Sequence, residues 1–121
     1  MADPTGSYDF ASDGGAVDNP ALGTLHIEVD PKGLLVNSTL LDSDLSGIYD
    51  YATRRISFAP AVIHGLDFFT AHYTGFAIVD TANTVISLAG TLTRWDFTKS
   101  GGKITGRLAE HGWYATIQLA G

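Results

Sequence analysis

The stretch "LGTLHIEVDPKGLLVNSTLL", Leu22 to Leu41, decides how the rest of the chain is read. Leu25, Ile27 and Val29 alternate with Thr24, His26, Glu28 and Asp30, the two-residue period of a strand with one buried face. Asp30, Pro31, Lys32 and Gly33 then suit a type I turn. Proline sets φ at its second position, and glycine accepts positive φ at its end. The chain returns with Leu34, Val36 and Ser38 on one side, and pairing Val29 with Leu34 would align the two apolar faces. The prediction is a β-hairpin.

The same period recurs on either side, and helical periodicity is almost absent. "GIYDYA" and "RRISFAP" are short strand candidates around Thr53, and "GLDFFTAHYTGFAIVD" is a long one that is apolar on both faces. A sheet with one wet face would not satisfy that segment, so Gly75 is a candidate bulge or bend. "VISLAGTLTRWDFTK", "KITGRLAE" and "WYATIQLA" complete an antiparallel meander. Trp95, Phe97, Ile104, Leu108, Trp113, Ala115, Ile117 and Leu119 are expected on one side of it. Like charges repel across a ladder, so the register that sets Asp96 against Arg107 is preferred over one that opposes Arg94 and Arg107. The fold class is therefore all-β: an antiparallel β-sandwich or small closed β-barrel of roughly eight to ten short strands, with at most one short helical turn near residues 40–51.

Length and composition bound the function. A chain of 121 residues, 45% hydrophobic and 17% charged, fits one globular domain with a single core. "MADPTGS" has neither the basic nor the apolar region of a signal peptide. Residues 1–7 are expected to be a vector-derived leader before a single β domain over residues 8–121. A net charge of −6, with seven scattered Lys and Arg, argues against nucleic acid as a partner, since phosphate binding needs a basic stripe. No apolar run approaches the roughly 20 residues of a membrane helix, so no membrane insertion is expected. Without cysteine there is no disulfide, thiolate chemistry or zinc–sulfur site.

Two clusters are candidates for chemistry. Asp42, Asp44 and Ser46, with Gly47 next, place oxygens at the first, third and fifth positions of a calcium loop, and Asp50 falls at the ninth. The twelfth position, where calcium takes a bidentate Glu, is Thr53, so a weak calcium site would need outside ligands such as Asp13 or Asp18. The competing reading is a polar turn in which an Asp side chain bonds the local backbone. The second cluster is Asp67, His72, Tyr73 and Trp113, which could line a ligand pocket. His72 shares a strand face with Phe68 and Phe76, whereas His26 and His111 are expected on solvated faces. No serine sits in a nucleophile elbow, and "SGGK" opens no helix that could hold phosphate.

The expected function is a non-catalytic extracellular or periplasmic β-domain with a structural, adhesion or protein-interaction role, possible calcium and a possible homo-oligomer. The alternative is a small β-barrel enclosing an apolar small molecule, as a carrier or as a cyclase-like or isomerase-like enzyme. A lectin module is a third, and would need an exposed aromatic platform near the Asp-rich segment.

Overall fold

A computed structural model of the chain describes residues 2–12, 21–60 and 68–118. They form eight strands: β1 (Gly6–Ser12), β2 (Ala21–Ile27), β3 (Thr39–Leu40), β4 (Ser43–Asp50), β5 (Arg55–Pro60), β6 (Phe68–Val79), β7 (Val85–Ser100) and β8 (Lys103–Ile117). Each strand pairs antiparallel with the next, and β8 returns to β1, giving a closed up-and-down barrel. The described residues include no helix. The barrel branch of the sequence expectation holds, although β6, β7 and β8 are longer than expected, at 12, 16 and 15 residues.

At one end, which we call the lower end, three turns share one design. Asp30, Asp50 and Asp80 each open a turn and accept backbone N–H groups on a side-chain oxygen: Lys32 and Leu34, Ala52, and Ala82 and Thr84 respectively. A residue with positive φ closes each one, Gly33, Arg54 and Asn83. The N-terminal segment packs across this end. Ala2 is buried, the Tyr8 and Tyr49 hydroxyls donate to the carbonyls of Pro4 and Ala2, and Val29 N–H donates to Thr5 Oγ1. Gly6 and Ser7 belong to β1.

The hairpin is present, but its register is one residue from the expected one. Gly33 N–H bonds to Asp30 carbonyl as a type I turn requires, and Gly33 at φ 94° then adds one residue before pairing resumes. A two-residue type I loop splays right-twisted strands, and a left-handed residue after the turn restores the match. Val29 therefore pairs with Leu35, not Leu34. A slip of one residue exchanges faces: Leu35 is buried, while Leu34 and Val36 are exposed. Asn37, at φ 47°, breaks the alternation again and turns Ser38 inward.

The inner wall carries the core. Tyr8, Phe10, Leu25, Ile27, Ile56, Phe58, Tyr73, Leu88, Leu92, Trp113 and Ala115 are all buried. An eight-stranded barrel is just wide enough for side chains to fill it, and here four rings fill its middle. Phe58 stacks on Tyr73 at 5.0 Å between centroids, Trp113 meets Phe58 edge-on at 5.4 Å, and Phe10 lies 5.9 Å from Tyr73. Inward-facing glycines make room for them: Gly47 pairs with Phe58, and Gly75, Gly90 and Trp113 lie in one cross-strand row. The Trp113 indole N–H donates to the carbonyls of Thr74 and Thr91, 3.2 and 3.0 Å away.

Three further expectations are corrected. Gly75 makes no bulge; the register of β6 and β7 shifts at Ile78 and Val79 instead. The apolar second face of β6 is not covered among the described residues, where Phe76 is 52% and Ile78 38% exposed. The apolar residues of β8 do not share one side. Trp113 and Ala115 are buried inside, whereas Ile104 and Leu108, of the opposite parity, are exposed, as is Trp95 across from Leu108. The Phe97 side chain and Leu119 lie outside what the structure describes. Asp96 does pair with Arg107, the register that the charges favoured.

Candidate binding cleft on the barrel wall

The residues of the Asp-rich segment are drawn out along a strand. Asp44, Ser46 and Asp50 lie on the outer face of β4 while Leu45 and Tyr49 point inward, so alternate oxygens line up in extension and do not curl around a common centre. Asp42 stands in the preceding turn at φ 66°. Asp50 caps its own turn: one carboxylate oxygen accepts Ala52 N–H and the other the Thr53 hydroxyl, and these bonds hold its pKa below the ordinary carboxylate value. Among the described residues no three His, Cys, Asp or Glu side chains gather as a metal site. Asp13 and Asp18 lie outside the described residues.

The pocket candidates also separate. Tyr73 and Trp113 belong to the ring cluster that fills the interior. Burial raises the pKa of the Tyr73 hydroxyl, an effect opposed by the Arg94 guanidinium. His72 is outside the barrel, exposed, with its Nε2 2.7 Å from Ser57 Oγ. Asp67 lies outside the described residues. His111, expected in solvent, is half-buried on the inward side of β8 opposite Leu92.

What the barrel offers instead is on its outer wall. Register places Phe76, Ala89, Tyr114, Ala11 and Leu22 directly opposite one another on five consecutively paired strands, β6, β7, β8, β1 and β2. Large and small side chains alternate along this row. Phe76, Tyr114 and Leu22 stand 52%, 57% and 68% exposed, with an alanine in each gap between them. Where β1 ends beside β8, the gap deepens into a cleft of about 460 Å³ lined by Ala11, Ser12, Leu22, Ala89, Gly90, Gly112, Trp113 and Tyr114. Two of its lining residues are glycines, so part of its lining is bare backbone, and Trp113, a core residue, also lines it.

Of the described pocket candidates read from sequence, Trp113 lines this cleft, while His72 and Tyr73 do not. Ala11, Leu22, Ala89 and Tyr114 are separated by up to about a hundred positions and carry no motif. Only cross-strand register brings them together. Comparison with protein-family models, with curated proteins and with solved structures found no match for this chain.

Proposed function

We propose that this chain is a non-catalytic binding domain that engages a protein partner through the outer wall of its barrel, with the Tyr114 cleft receiving an apolar side chain. One observation carries the reading: the interior is filled by packed rings, while an apolar row of five residues stands on the wall around a cleft of about 460 Å³. Exposed apolar surface with shape is what interaction sites on soluble domains present. The volume also lies in the range of small-molecule sites, which gives the apolar-ligand reading a place on the wall. Such ligands bury most of their surface, however, and this cleft is flanked by Leu22 and Tyr114, 68% and 57% exposed, a form that suits a side chain arriving on a partner.

The test uses neutral indole as the probe, followed by saturation-transfer NMR on the intact chain. Leu22→Asp at the rim is expected to remove the signal, whereas Ile48→Asp, at a 58% exposed apolar position on β4, leaves it in place. Equal binding by the two variants would refute the assignment of the site.

A further inference from the structure

Beyond the cleft, the β7–β8 hairpin leaves a second surface. β1 pairs with β8 only from Trp113 to Ile117, whereas β7 pairs with β8 down to Lys103. Over residues 103–112, β8 therefore has a strand on one side only among the described residues. Such an edge presents a row of backbone donors and acceptors that templates pairing with another strand. Its outer face carries two exposed apolar residues, Ile104 at 64% and Leu108 at 49%, with Trp95, 41% exposed, directly across from Leu108 on β7, and the exposed Glu110 follows on the same face.

We propose that this edge pairs with the same edge of a second copy, antiparallel about a two-fold axis at Gly106. A two-fold interface must be self-complementary, residue for residue, and the sequence of β8 meets that condition in one register. About Gly106, Ile104 meets Leu108 of the second copy and Leu108 meets its Ile104, with Trp95 flanking each pair. Lys103 then faces Ala109, Thr105 faces Arg107, and the residue on the axis has no side chain. A two-residue shift one way would set Arg107 against its own copy and Ile104 against Glu110. A shift the other way would set Lys103 against Arg107 and Ile104 against Gly106. Like charges directly opposite destabilise a ladder, and apolar cross-strand pairs support it. The length fits as well. Pairing over residues 103–109 stops before Trp113, where β1 occupies the edge. The result is a continuous sheet through both hairpins, with the two barrels at its far ends and both Tyr114 clefts left open.

The test is sedimentation velocity on the full chain over a range of concentrations. The expected result is a species of twice the 12.8 kDa chain mass that dissociates on dilution. I104K/L108K, which places lysine against lysine at both pairs, should be a monomer throughout. I104K/L108E, which places lysine against glutamate, should restore the dimer. The chain has no cysteine, so an introduced one is its only thiol. Directly opposed residues lie about 4.5–5.5 Å apart between Cα atoms, within disulfide reach, so Gly106→Cys should cross-link under mild oxidation. Thr105→Cys, displaced from its own copy by more than about 7 Å, should not. A monomer at every concentration would overturn the proposal, as would a dimer indifferent to I104K/L108K or cross-linking at 105 in preference to 106.

Discussion

Replacing Gly90 by alanine tests the packing that fills the barrel and shapes the lining of the cleft. A β-carbon on Gly90 would lie 1.9 Å from the Thr74 carbonyl oxygen, 2.4 Å from Gly75 Cα and 2.8 Å from the Thr74 carbonyl carbon. All three are backbone atoms of β6, so no side chain can rotate away and the β6–β7 ladder must open. Overpacking of this kind costs about 1–3 kcal/mol. The same movement displaces the Thr74 and Thr91 carbonyls from the Trp113 indole N–H, and each hydrogen bond contributes about 0.5–1.5 kcal/mol. Together the loss is about 2–6 kcal/mol, a large share of the roughly 5–15 kcal/mol that holds a domain folded. Urea unfolding followed by Trp fluorescence would read it as a lower midpoint. Gly101→Ala is the control: its β-carbon meets nothing within 4 Å, and it carries only the strain of φ 56°, about 1–2 kcal/mol. A Gly90→Ala variant no less stable than Gly101→Ala would refute the reasoning.

The remaining predictions follow from other contacts. Tyr8 is buried, its hydroxyl donates to the Pro4 carbonyl, and desolvation raises its pKa well above 10.0, its ordinary value, with Asp3 and Tyr49 adding to the rise. The native state keeps that proton when the unfolded chain loses it, so this stabilisation is complete below pH 10 and is lost progressively above it. Tyr8→Phe should be less stable at neutral pH but show a shallower loss of Tm above pH 10; parallel Tm–pH curves would contradict this. Millimolar calcium or chelator should leave Tm unchanged, because β4 holds its oxygens in extension and Asp50 is engaged in its own turn. A calcium-dependent rise in Tm would show that cation binding stabilises the fold. Leu22→Asp, at a 68% exposed position, should shift stability by less than about 0.5 kcal/mol in urea unfolding, separating loss of probe binding from loss of fold.

The barrel was legible because strand alternation, turn chemistry and charge agree. The Asp30 turn and the Asp96–Arg107 register could both be read from side-chain chemistry alone. What failed did so where backbone conformation, invisible in composition, changes parity. Gly33 and Asn37 at positive φ moved the hairpin by one residue and then broke its alternation. The Asp-rich segment looked like a loop because Asp44, Ser46 and Asp50 crowd its outer face beside Ile48, yet Leu45 and Tyr49 between them carry the strand into the core. Grouping Ile104 and Leu108 with Trp113 and Ala115 ignored the change from even to odd positions within one strand. Of the cleft, Trp113 was legible as a lining residue, but its place on the wall was not. Alanine and glycine make its gaps, and small side chains acquire meaning only from what register sets beside them.

The proposed binding face is on the outer wall and not inside the barrel. Backbone amide shifts of the ¹⁵N-labelled chain, titrated with indole, test it most directly. Shifts are expected at Ala11, Leu22, Ala89, Gly112 and Tyr114, with Tyr8, Leu25, Ile27 and Leu88 unmoved. Shifts centred on the interior residues, with the wall row silent, would contradict it.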